Sequence, residues 1–269
     1  MQTEEKIKQE TPAIKQLDFK SLHFAWFVGQ FIVLTNGFIF FLSKALFHPF
    51  SFLYRVAYVG IVSSYCIVIY NSYKPFNNNQ PFYFRRMLLD ENVQYFIIAV
   101  YFLFTRRIAF TLLPFVIYSV FHVNDFGKNN IIPCLPASVQ TKLPLISIVK
   151  NMNTDKLYEQ LMPIVSKIEI YIIMTRLVLG LFVLRSSLFS ILLYGQFLHM
   201  RYYMSPYTRE VLTQLGQRID QLLTPPTAHP NLPPTIIHAY TKVKQVIFRT
   251  KGSNPNPTTT TTTTTKKKQ

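Results

Sequence analysis

The stretch Phe24–Phe47, FAWFVGQFIVLTNGFIFFLSKALF, carries a single charge, Lys44, close to its end. A helix of that length reaches about 36 Å, more than the ~30 Å hydrocarbon core of a bilayer. This stretch alone points to an integral membrane protein. It does not read as a secretory signal. The residues before it mix four lysines with four acids, the apolar part is too long, and no small-residue cleavage site follows. A second apolar stretch, Val56–Tyr70, extends back to Phe52 by taking in Arg55. The four residues HPFS at 48–51 separate the two as a tight turn, which predicts an antiparallel helical hairpin.

The third apolar region is interrupted. Val93–Phe104 and Ile108–Val123 flank the adjacent pair Arg106 and Arg107. As helices these arms reach about 18 Å and about 24 Å, both short of the ~27 Å of a thin endoplasmic-reticulum bilayer. Two arginines at mid-bilayer would cost on the order of 5–7 kcal/mol on insertion scales. A shallow hairpin with Arg106 and Arg107 at its polar tip avoids that cost. The alternative keeps 108–123, extended by a few residues, as the span and lays 93–104 near the interface. A fourth region, Ile168–Leu198, has a similar plan: it is broken at Arg185-Ser186-Ser187 and also contains Arg176. The fold class is therefore an all-α integral membrane protein. Its four apolar regions form helical hairpins, two of them broken and shallow, with cytosolic amphipathic helices added.

Charge gives the orientation. The net charge is +16, with 28 basic residues: four before Phe24, three between Lys74 and Arg86, five between Lys128 and Lys167, and ten after Leu198. Excess Lys and Arg marks the cytoplasmic side of a membrane protein. With hairpins, all those segments share one cytosolic face, which includes both termini. With full spans, the 124–167 connection and its five lysines move to the lumen, a poorer fit. That connection holds Pro133, Pro136, Pro144 and Pro163, with a short amphipathic helix expected around residues 145–162. The boundaries are a polar leader at 1–23, a multi-spanning domain at 24–200, a cytosolic region at 201–251 and a disordered Thr/Lys tail at 252–269.

Ser205-Pro206 reads as an N-cap with proline at the first helical position. Val211, Leu212, Leu215, Ile219, Leu222 and Leu223 then recur at helical spacing. This stripe is expected to pack on the protein's own cytosolic side. A second amphipathic helix follows a proline-rich hinge. Ile236, Ile237, Tyr240, Val243 and Ile247 lie on one side of it, and Lys242, Lys244, Arg249 and Lys251 make it basic. A basic amphipathic helix suits an anionic leaflet or an acidic partner such as a nuclear transport receptor. Lys266 and Lys267 sit fourth and third from the last residue, the dilysine pattern of endoplasmic-reticulum retrieval.

No catalytic constellation emerges. The six histidines lack metal-ligand spacing, the glycines are too few for a phosphate loop, and neither a nucleic-acid motif nor a small-molecule site is evident. The two cysteines, Cys66 and Cys134, suggest neither a disulfide framework nor a metal site. Asp90 and Glu91 read as helix N-terminal acids. Glu169 and Arg176, seven apart on one helical face, are the ionisable pair on which a small transporter or channel would rest.

Several stretches together resemble one family. YRVAYVGIVSSYCIVIY, RRMLLDENVQYFIIAVYFL and LLPFVIYSVFHV occur in order, followed by KLPLISIVKNM, KIEIYIIM and YGQFLHMRYYMSPYTREVLTQL. This is similar to the transmembrane protein 33 family, with its fungal pore-membrane nucleoporins and tetra-spanning protein. The resemblance covers about residues 20–223. Leu88–Glu91 and the Arg201-Tyr202…Pro206-Tyr207 segment are its most specific pieces. The tail departs from animal members and is closer in plan to fungal ones, whose membrane-binding C-terminal helix residues 235–251 would match. The resemblance implies a protein of the endoplasmic-reticulum membrane and nuclear envelope, active in tubular network organisation and nuclear pore assembly or distribution. It also implies reticulon-type or nucleoporin partners, and no enzyme activity or cofactor.

Overall fold

The computed structural model describes residues 17–48, 50–74, 82–136, 139–140, 144–223 and 240–242. Every regular element among them is helical. The chain divides into two compact units, Met1–Leu212 and Thr213–Gln269.

Helix α1 (Leu22–Ala45) is capped by Ser21, whose hydroxyl accepts from the Phe24 amide at 3.1 Å. It packs along α2 (Ser51–Tyr73). Glycines permit the close approach: a Cβ on Gly60 would lie 2.9 Å from the Gly29 carbonyl oxygen. α1 also packs on α5 (Ala109–Phe126), where a Cβ on Gly37 would meet Val116 Cγ2 at 2.4 Å. The Ser119 hydroxyl donates to Gln30 Oε1 across the same seam at 2.8 Å.

A short helix α3 (Phe82–Leu88) leads into α4 (Glu91–Phe104), whose N-cap Asp90 accepts from the Asn92 amide at 2.8 Å. α5 does not stop at Val123. It continues through a π-helical turn (Gly127–Ile131) and a 3-10 turn (Ile132–Cys134), giving a rod of 26 residues, Ala109–Cys134. This corrects the expectation that a connection begins at residue 124. The polar residues there keep helical geometry because they find partners: Asn124 donates to Thr154 Oγ1 at 2.8 Å, and Lys128 Nζ donates to the Met152 carbonyl.

The amphipathic helix expected around 145–162 is two helices, α6 (Pro144–Asn151) and α7 (Thr154–Lys167). Asn153 breaks the run and caps α7 by accepting from the Lys156 amide at 3.1 Å. α7 then continues without interruption through a π-helical stretch (Ile168–Ile173) into α8 (Met174–Phe182). The first arm of the fourth apolar region, 168–182, is thus the second half of a rod that starts fourteen residues earlier, at Thr154. After a break at 183–187 come α9 (Leu188–Met204) and α10 (Pro206–Leu223).

Three helices among the described residues are long and apolar enough to cross a membrane: α1, α2 and the Ala109–Cys134 rod. α4, at 14 residues, is apolar but short. The core where these helices meet is aromatic, with Tyr54, Tyr58, Phe102 and Tyr194 almost wholly buried. An all-α membrane protein is what both the sequence and the structure describe.

Candidate functional site

Arg106 and Arg107 occupy the break between α4 and α5, and both are exposed. Tyr95 and Tyr118, equidistant in sequence from the arginine pair, share a hydrogen bond at 2.9 Å, so the chain reverses direction at the break. The two arms are unequal, 14 residues against 26. Arg55 Nη2 donates to the Thr105 carbonyl at 3.1 Å, tying this turn to the start of α2. Behind it the hydroxyls of Tyr54 and Tyr58 share Thr111 Oγ1, at 3.2 and 2.8 Å. The turn at 183–187 joins the same end, because Tyr101 bonds Ser190 and packs its ring 5.7 Å from that of Phe189. Three chain reversals therefore lie together.

A buried polar ring sits deeper in the bundle, and Glu169 is its centre. Glu169 is 1 % exposed, and its partner is Arg201, 4 % exposed, with Nε 3.6 Å from Oε2. Arg176 lies about two turns further on, half-buried, its Nη1 at 3.1 Å from the Cβ position of Gly180. Glu169 and Arg176 share a helical face, as the sequence spacing predicts, but the ion-pair partner of Glu169 is Arg201. Arg201 Nη2 donates to the Tyr118 hydroxyl at 3.2 Å, Tyr118 bonds Tyr95, and Tyr95 donates to Glu169 Oε1 at 2.9 Å. The Arg201 guanidinium also lies over the Tyr95 ring at 5.2 Å and pairs with Glu91.

Glu91 thus does more than begin a helix. Asp90 acts as the cap, while Glu91 reaches across to α9. The π-helical stretch explains the aim of Glu169: a π turn shifts the register of one residue against its helix, and its carbonyl is taken up by the Tyr194 hydroxyl at 3.2 Å. Sequence reasoning missed Tyr95, Tyr118 and Arg201 as a set. The available signal was that Glu169, Arg201 and Glu91 are ionisable groups in or beside apolar helices, each needing a counter-charge. A cavity of about 10 Å³ lies beside Glu169, lined by rings including Phe102, Phe115 and Tyr194. It has room for about one water.

Ser205 caps α10 as expected, accepting from the Thr208 amide at 3.4 Å. The start of α10 packs on the protein itself: Tyr207 joins the cluster of Phe121, Met162 and Val165, and Thr208 bonds Ser166 at 3.2 Å. In the second unit, Tyr240 and Lys242 belong to a helical turn, and the Tyr240 hydroxyl donates to Asp220 Oδ1 at 2.7 Å. Partial burial, then that bond and the Asp220 charge, push the phenol up to about 12. Ile236, Ile237, Val243, Lys244, Ile247, Arg249 and Lys251 lie outside the described residues, as do Lys266 and Lys267. No group of three or more metal-ligating side chains occurs among the described residues, and Cys66 and Cys134 are not joined in a disulfide.

The model of the family described as transmembrane protein 33/nucleoporin POM33 matches residues 5–253. The chain belongs to this family. The match extends past residue 223 and takes in the basic segment at 235–251. Tetra-spanning protein 1 of Schizosaccharomyces pombe is 30 % identical over 246 residues, covering 88 % of this chain and 86 % of the relative. The pore membrane protein of 33 kDa of Saccharomyces cerevisiae is 28 % identical, covering 86 % and 84 %. Nucleoporin POM33 of Chaetomium thermophilum is 30 % identical, covering 77 % and 81 %. No solved structure matches. The family is one of membrane proteins named for the nuclear pore, and its description names no enzyme activity.

Proposed function

We propose that this protein resides in the endoplasmic-reticulum and nuclear-envelope membrane, with both termini cytosolic, and organises tubular and pore membrane by shaping it and recruiting partners. The observation that carries the shaping role is the mismatch of helix lengths around one turn. α4 provides about 21 Å of apolar height beside α1, α2 and the 109–134 rod, at about 34–39 Å. A bundle with one short wall meets the bilayer most easily where the two leaflets differ in area, as in a curved membrane. The basic segment 235–251 serves as the membrane or partner-binding arm on the cytosolic side, facing an anionic leaflet, reticulon-type proteins, nucleoporins or a nuclear transport receptor. Lys266 and Lys267 serve as its retrieval address.

Purified protein reconstituted into liposomes should convert them to tubules and show no ion flux. Flux abolished by Glu169→Gln would instead establish the transporter reading, against which the one-water cavity beside Glu169 speaks. In cells, deleting residues 235–269 should shift the protein from the nuclear rim to the peripheral network. Unchanged distribution would remove that segment from the mechanism.

A further inference from the structure

The five most exposed large apolar side chains among the described residues are Phe47 (90 %), Leu184 (86 %), Phe182 (80 %), Phe104 (77 %) and Phe52 (75 %). All five lie in or next to the three reversals gathered at one end of the bundle. Two of them are also held in unusual backbone. Phe47 (φ 60°) and Leu184 (φ 53°) are the only non-glycine residues with positive φ among those described.

Each is the left-handed residue of a Schellman cap. At the end of α1, the Phe47 amide donates to the Lys44 carbonyl and the His48 amide to that of Ser43. At the end of α8, Leu184 donates to Leu181 and Arg185 to Gly180. Glycine is the usual occupant of that position because a Cβ is strained there. Bulky apolar residues at two such positions, pointing away from the protein, are unfavourable twice over in water. A surrounding that takes up apolar side chains offsets the second penalty.

The charges at this end have one sign. Lys44, Arg106, Arg107 and Arg185 are exposed, and Arg55 is half-buried on the Thr105 carbonyl. The sequence has no acidic residue between Asp18 and Asp90, between Glu91 and Asp125, or between Glu169 and Glu210. The acids nearest to any of the three turns in sequence, Glu91 and Glu169, are fourteen residues away and pair with Arg201. Apolar side chains interleaved with unpaired cations match the boundary between acyl chains and phosphates, where long basic side chains extend to the headgroups.

We propose that this end of the bundle is a phospholipid-binding surface seated in a headgroup layer. Phe47, Phe104 and Phe182 insert among the acyl chains, one from each turn, with Leu184 beside Phe182. Lys44, Arg106, Arg107 and Arg185 bind lipid phosphates. This goes beyond the shaping role, since it assigns a ligand and a set of contacts to the three turns themselves.

The test uses the full chain with Cys66→Ser and Cys134→Ser, carrying single nitroxide labels at Phe47→Cys, Phe104→Cys or Phe182→Cys, in liposomes. Each label should collide with dissolved oxygen several-fold more than with a water-soluble nickel chelate. A label on exposed Lys150 should show the reverse. Chelate accessibility at the three turns equal to that at residue 150 would overturn the proposal. A label at Phe38 in the middle of α1 reports bilayer insertion in either case, so this failure is distinct from a failure of the membrane reading. The second arm measures anionic phospholipid retained through detergent purification. The triple variant R106Q/R107Q/R185Q, altered only at exposed positions, should retain at least threefold less than the parent. Equal retention would overturn the phosphate assignment. Phe47→Gly with Leu184→Gly should preserve the fold in detergent, since glycine accepts both φ values, yet reduce lipid retention.

Discussion

Replacing Arg201 by methionine should destabilise the bundle far more than neutralising Glu169. The ion pair is 3.6 Å long and both partners are almost fully buried. At an effective dielectric of about 20, that separation corresponds to about 4–5 kcal/mol of attraction. Arg201→Met leaves Glu169 charged, 1 % exposed and held only by Tyr95, so a loss of about 3–5 kcal/mol is expected. Glu169→Gln leaves Arg201 paired with Glu91, and the glutamine oxygen still accepts from Tyr95; about 1–2 kcal/mol is expected. The double variant E169Q/R201M has no buried stranded charge, Glu91 being 44 % exposed, and should be more stable than R201M alone. Thermal unfolding of the purified protein in detergent, followed by tryptophan fluorescence and helical circular dichroism, measures all three. Equal losses in the two single variants, or a double variant less stable than R201M, would refute the ring as the organising feature of the bundle.

Other outcomes follow from close contacts and caps. Gly60→Leu should force α1 and α2 apart and cost about 1–3 kcal/mol by overpacking, seen as a lower unfolding temperature. Gly37→Ala should be destabilising alone and largely rescued by Val116→Ala, whose removed methyl groups include the atom 2.4 Å from the new Cβ. Ser205→Ala should cost about 1 kcal/mol and raise amide exchange in the first turn of α10, including Thr208. The bond from Tyr240 to Asp220 should be complete below pH 10, where the unfolded phenol is still protonated. It should be lost as pH rises through about 12, where the folded one ionises. A tyrosinate difference titration against Tyr240→Phe should show one group ionising near that upper value.

Much of this architecture is legible locally. Phe24–Phe47 is apolar over a length that crosses a bilayer, and Val56–Tyr70 approaches one once it is extended to Phe52 through Arg55, so α1 and α2 follow. Ser205-Pro206 starts a helix because a hydroxyl cap and a fixed proline φ act within one turn. The Arg106–Arg107 break separates α4 from α5 because two adjacent cations have no place in an apolar face. Each of these is determined by a few neighbouring residues.

The tertiary structure decides what depends on partners remote in sequence. Residues 124–134 look like a connection because they are polar, yet they remain helical because Thr154 and Met152 supply hydrogen bonds. Glu169 shares a helical face with Arg176, but a π-helical stretch turns it into the bundle, where α9 brings Arg201 and α4 brings Tyr95. The meeting of the three reversals at one end is likewise invisible in the chain, since Arg55 and Thr105 are fifty residues apart. Hydropathy and capping act over one or two turns and can be read in order. The pairing of buried charges is a choice among distant candidates, and only packing makes it.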